Sequence, residues 1–159
     1  MTQTTHDPRP VAESRTLARL RAMLLATLIL GMLGTGAELL LLGHTEGWQQ
    51  QAPLVLLGAG IVTGLGHAVR PTAGTVRLLQ ALMLLFIIAG GAGVYLHYRG
   101  NVEFELEMYP KMIGAELFSN TMTGATPVLA PGTMLVFGLV GLASTYRHPR
   151  IIAWSAAED

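Results

Sequence analysis

MLLATLILGMLGTGAELLLL, residues 23–42, is a run of twenty residues with one ionisable side chain, Glu38. At ~1.5 Å per residue a helix of that length matches a ~30 Å hydrocarbon layer, so the run reads as a first membrane span. A basic stretch, an apolar run and the small residues Thr35, Gly36 and Ala37 also occur in the order of a cleavable leader. The apolar run resumes at Leu39–Leu42, a poor start for a mature chain, and the segment is expected to stay in place.

Three more segments follow the same rule. Residues 53–69 are shorter and rich in glycine, with Pro53 placed for a first helical turn and Pro71 for a stop. Residues 78–98 contain the most apolar stretch of the chain, 81–89, and end in Tyr95, His97 and Tyr98, suited to a headgroup boundary. Residues 128–146 form the last, stopped by Arg147, His148 and Pro149. The fold expected is an all-α membrane protein: an antiparallel bundle of four transmembrane helices, with a long loop at 99–130 carrying short surface helices. Residues 1–18 and 151–159 read as polar tails around this single domain. In composition, 51% apolar and 13% charged residues belong to membrane chains rather than soluble ones.

Charge placement tests the topology independently, because cytoplasmic segments near membrane helices accumulate Lys and Arg. Arg9, Arg15, Arg19 and Arg21 precede the first span, Arg70 and Arg77 flank the second loop, and Arg147 and Arg150 follow the last, eight of ten basic residues. Arg99 and Lys111 fall opposite. Both termini are therefore expected in the cytoplasm, with 99–130 outside. The preference for Arg over Lys and the wealth of Ala, Gly and Leu fit a GC-rich bacterial gene, and hence an inner (plasma) membrane. A net charge of zero gives no basic field for nucleic acid, and the absence of cysteine excludes disulfides, thiolate metal sites and cysteine nucleophiles.

Glu38 is the most informative single residue, since a carboxylate within a span must pair, protonate or reach water. With His97 it forms a candidate intramembrane ionisable site for a cation or proton. The plainer reading is a snorkelling or protonated Glu38 held by Thr35, His97 or Arg99. His44 and His97 end two helices at similar depth, weak candidates for a divalent metal, although no His-x-x-x-His or Glu-x-x-His spacing supports them. The same pair, and a second formed by His67 and His148, satisfy the formal need of a b-type haem for two imidazoles. Met108, Met112 and Met122 with His97 offer soft ligands for copper, against which methionine as apolar filler is the ordinary use. No cofactor is expected.

The segment 99–130 is too long for a mere connection. Val102, Phe104, Leu106 and Met108 alternate with Glu103, Glu105 and Glu107, the period of a strand, but a lone strand would need a partner edge. A short helix is preferred, capped by Gly100 or Asn101 and stopped by Pro110, followed by a second over 111–123 ended by Gly124. Glu103, Glu105, Glu107 and Glu116 make this loop the candidate recognition surface. Glycines crowd every span, including Gly60 and Gly64 at small-xxx-small spacing, and would serve packing within the bundle, a homo-oligomer or a larger membrane complex. No phosphate-binding loop, nucleophile elbow or metalloprotease helix is present. The sequence thus favours an accessory, assembly or oligomeric interaction subunit. Cation or proton transport through Glu38 is the alternative, and a membrane enzyme or b-type haem protein comes third.

Overall fold

The computed structural model describes residues 9–151, with side chains from Arg15 onward. Its elements are five helices, α1 (Arg9–Leu41), α2 (Gly47–Val69), α3 (Ala73–Met108), α4 (Gly114–Met122) and α5 (Gly132–Ser144), and no strand occurs among the described residues. Three helices, α1 to α3, are long and apolar enough to cross a membrane, and α5 is a shorter apolar helix.

Each helix end has a local cause. α1 closes on Gly43, which adopts the left-handed φ of 64°. His44 N donates to Leu39 O (2.9 Å) and Gly43 N to Leu40 O (3.1 Å), the paired bonds of a Schellman cap, and only glycine takes that backbone without Cβ strain. α3 opens with a reciprocal box: Thr75 N donates to Thr72 Oγ1 (3.1 Å) and Thr72 N to Thr75 Oγ1 (3.0 Å).

α1, α2, α3 and α5 pack in that order around a closed ring, each antiparallel to its neighbours. Gly64 lies against Leu25 and Ile29 of α1, Gly93 against Pro131, and Gln80 Nε2 donates to Thr145 Oγ1 at 3.3 Å. The core is apolar and filled: Leu28 and Met32 from α1, Leu57 from α2, Leu79, Met83 and Phe86 from α3. Buried positions on α3 run 76, 79, 83, 86 and 90, a three-four alternation that keeps one seam facing its partners. Large apolar side chains point outward on all four helices: Leu30 is 72% exposed, Val62 71%, Ile88 66% and Leu139 61%. A water-soluble monomer rarely shows contiguous apolar surface of that extent, whereas lipid tails cover it without cost.

Several sequence expectations need correction. α2 starts at Gly47, so Pro53 lies inside the helix rather than in its first turn. α3 does not stop at residue 98. It runs on to Met108, about 54 Å in all at ~1.5 Å per residue, and so takes in the segment expected to form a separate loop helix. The alternating run 102–108 is helical, and neither Gly100 nor Asn101 caps it. An interior glycine costs only about 1 kcal/mol relative to alanine, and contacts made by Asn101 outweigh that. The last span is helical over 132–144 instead of 128–146, roughly 20 Å. Its flanks continue as tight turns, with Gly132 N on Leu129 O (2.9 Å) and Thr145 N on Leu142 O (3.1 Å). α1 begins at Arg9, inside the stretch read as a tail, while residues 1–8 and 152–159 of the two tails lie outside the described residues.

Candidate functional site

The antiparallel ring sorts the charges. Among the described side chains, Arg15, Arg19, Arg21, Arg70, Arg77, Arg147 and Arg150 gather at one end. Glu38, Glu46, Glu103, Glu105, Glu107 and Glu116 lie toward the other, with Arg99 and Lys111.

At the acidic end α3 projects beyond the ring, and residues 109–131 fold back against it. Asn101 holds them. Only 2% exposed, it lies on the continuation of the α3 seam, eleven residues beyond Gly90. Its Nδ2 donates to Thr121 O (2.9 Å) and Thr126 O (2.7 Å), and its Oδ1 accepts from Thr126 N (3.1 Å) and Thr126 Oγ1 (2.6 Å). Every donor and acceptor of this amide side chain is engaged, as burial requires. Gly124 makes room for it, since a Cβ there would lie 2.9 Å from Asn101 Nδ2. The Tyr98 and Phe118 rings, 6.5 Å apart, seat α4 on α3. An open hollow of about 460 Å³ is lined by Met108, Tyr109, Pro110, Lys111, Met112 and Glu116. Around it Tyr109 (57%), Ile113 (79%) and Phe118 (57%) are exposed.

The residues singled out from sequence fall at this end but do not converge. Glu38 is exposed on α1, outside the core, and makes no hydrogen bond or ion pair among the described residues, with His97, Arg99 or Thr35 included. His97 Nδ1 pairs with Pro127 O at 3.0 Å, tying the last loop residues to α3. His44 is half-buried in the turn after α1. Glu103 pairs with Arg99 at 2.7 Å, an exposed i,i+4 contact that contributes little. Glu107 and Glu116 are exposed and Glu105 is half-buried. Met112 Sδ accepts from Asn120 Nδ2 at 3.5 Å, a packing contact within the folded-back segment. Among the described residues no three His, Asp or Glu side chains group as a metal site.

At the basic end the tertiary structure assembles what sequence spacing could not. His67 near the end of α2 and His148 beyond α5 meet edge to face, their ring centroids 5.1 Å apart. Rings in contact leave no space for a porphyrin between them, so the pair does not fit axial haem ligation. His67 Nδ1 pairs with Thr75 Oγ1 at 3.1 Å, and His148 Nδ1 accepts from Arg150 N at 3.3 Å. Arg21 of α1 reaches across to the end of α5: Nε and Nη2 donate to Tyr146 O (3.0 and 2.8 Å), and Nη2 also to Arg147 O (2.8 Å). These bonds tie α1 to the turn that follows α5, whose last carbonyls are already met by Ser144 and Thr145. Arg147 adopts a left-handed φ of 48°, rare outside glycine. Between these groups lies a pocket of about 220 Å³, walled by Ala18, Ala22, Leu25, Pro71 and Pro149.

Comparison of the chain with family models, with curated proteins and with solved structures finds no match to any of them.

Burial, then the charges of His67, Arg21 and Arg150, hold the proton affinity of His148 below its ordinary value of 6.5. The unfolded chain therefore takes up a proton as pH falls below 6.5 while the folded His148 resists it, and stability present at neutral pH is lost in that window. Melting of the detergent-solubilised protein should drop as pH is lowered below 6.5, and His148→Gln should flatten the slope. An unchanged slope in that variant would remove His148 as its source.

Proposed function

We propose that this chain is an accessory or assembly subunit of a bacterial inner membrane, crossing the bilayer four times with both termini cytoplasmic. In this reading it recognises a partner through the cap formed by residues 99–131. The observation that carries it is the Asn101 tie. A buried, fully satisfied amide side chain fixes a long surface segment into one shape, and an unused connection would have no call for it. A preformed surface pays less ordering entropy on binding than a mobile one. The exposed Tyr109, Ile113 and Phe118 beside Glu107 and Glu116 supply apolar anchors with an acidic rim, the usual anatomy of a recognition surface. The filled core of Phe86, Met83, Met32 and Leu57, with Glu38 outside it, lends no such support to a conducting path.

Photo-cross-linking in native membranes tests this reading. A probe at Ile113 or Phe118 should give one discrete adduct of higher mass, and the same probe at Leu85, on the exposed apolar face of α3, should give none. Adducts that are absent at the cap, or equal at both positions, would remove the recognition role. For the orientation, a reporter fused after Asp159 should behave as cytoplasmic and one inserted near Ser119 as external.

A further inference from the structure

We infer that the basic-end pocket binds the phosphate of an anionic phospholipid, its oxygens accepting hydrogen bonds from Arg21, His67 and His148. The site is built from three separate segments. Arg21 spends Nε and Nη2 on the end of α5, so its orientation is fixed while Nη1 is not used in those bonds. His148 Nδ1 accepts from Arg150 N, so its Nε2 carries the proton and can donate. Thr75 Oγ1 donates to Thr72 O, so His67 Nδ1 donates to Thr75, and its Nε2 donates to an anion once the ring is protonated. Among the described side chains no carboxylate lines the pocket. Burial and the neighbouring Arg21 favour a neutral His148 in the open pocket, and an anion beside it would favour the charged imidazole instead.

Lipid rather than free phosphate follows from the walls and the position. The pocket opens where α1 and α2 leave their apolar zones. Its remaining surface is Ala18, Ala22, Leu25, Ala68, Pro71 and Pro149, and Val69 beside it is 86% exposed. A headgroup can thus meet the cations while its acyl chains follow the apolar outer surface of the helices. Basic pockets between membrane helices at the boundary bind anionic headgroups by this division of labour.

Protonation couples to occupancy. Among the described residues, the charged or titratable groups facing His148 are Arg21 from α1, His67 from α2 and Arg150 from its own segment, while α5 offers Ser144, which does not titrate, and Thr75 of α3 pairs with His67. An anion among them favours the imidazolium, so affinity rises as pH falls.

The experiment uses the full chain purified in mild detergent, with lipid retention read by native mass spectrometry and melting measured in parallel. Probes are phosphatidylglycerol, phosphatidylcholine and inorganic phosphate, at two pH values on either side of neutrality. Phosphatidylglycerol should be retained and should raise the melting temperature, more so at the lower pH, and phosphatidylcholine should do neither. His148→Gln should weaken retention about tenfold, the worth of one charge-assisted hydrogen bond. Arg21→Gln should weaken it further but also unties α1 from the turn after α5, so the histidine variant decides. Arg70→Gln, which removes a charge from the same end but not from the pocket lining, should retain lipid as the parent does. Equal retention by the parent and His148→Gln, or equal loss in Arg70→Gln, would overturn the site in favour of diffuse charge. Inorganic phosphate that stabilises as well as the lipid and displaces it would overturn the lipid assignment. The pocket shares no residue with the cap, so cross-linking results there leave this outcome untouched.

Discussion

Asn101→Leu should release the fold-back segment while leaving the bundle intact. Leucine is close to asparagine in size, so the site stays filled, but the carbonyls of Thr121 and Thr126 and the Thr126 amide lose their partners together. Each buried backbone group left unpaired costs about 1–3 kcal/mol. Thr126 is exposed and can turn to water, so the main cost falls on the buried Thr121 carbonyl and is set against the burial of Met112 and Val128 in the same segment. Limited proteolysis should then cut within residues 109–131, where the parent resists, and cleavage should leave the melting of the remaining helices nearly unchanged. Asn101→Asp should act the same way above the carboxylate's titration range, because it places oxygen against two carbonyl oxygens that had accepted from Nδ2. Resistance to protease in both variants would show that the tie is not what holds the cap. The Ile113 and Phe118 cross-links should disappear in step with the protection.

The second large effect concerns α3 and α5. A Cβ at Gly138 would lie 2.6 Å from Met83 O and 2.5 Å from Ile87 Cγ1, and one at Gly90 would lie 2.8 Å from Leu135 N. Two of those three neighbours are backbone, which cannot swing aside as a side chain can. Gly138→Ala and Gly90→Ala should therefore force the helices apart, at about 1–3 kcal/mol each for overpacking. The costs should be less than additive, since both act on one contact. Gly34 and Gly91 meet nothing within 4 Å. Alanine there should be neutral or stabilising by up to about 1 kcal/mol through helix propensity. Unfolding in detergent, compared across the four variants, checks both halves, and equal effects at all four positions would refute the assignment. Glycines at small-xxx-small spacing had two readings from sequence, packing within the bundle or association with other chains. Gly60 and Gly64 take the first, against Met32, Phe86, Leu25 and Ile29.

What was legible in the sequence was what depends on local composition. Twenty residues with one charge must be helical and out of water wherever they sit, because backbone groups in lipid have no other donors and acceptors. The three long apolar helices follow from that alone, and the placement of most arginines on alternate connections follows from the order of the segments. The continuation of α3 through Gly100 was less legible, since glycine and asparagine are locally neutral signals that tertiary contacts override. One signal was present: Asn101 lies eleven residues, about three full turns, beyond Gly90 and so on the same face as the seam 76, 79, 83, 86 and 90. Followed past the apolar residues, it would have marked Asn101 as a buried position rather than a cap.

The sequence by itself determined the all-α class, the four apolar helical segments and the end to which most of the described charges belong. These are properties of windows of chain, set by hydrophobic transfer and by backbone hydrogen bonding within each helix. Tertiary structure alone decided which glycines touch, that Asn101 ties the cap, that Glu38 stands outside the core, and that Arg21, His67 and His148 surround one pocket. Each of those depends on partners about 20 to 125 residues away in sequence, as the spacings of Asn101 to Thr121 and Arg21 to Tyr146 show. Such pairings are chosen by the packing of the whole ring, and no window of sequence contains both members.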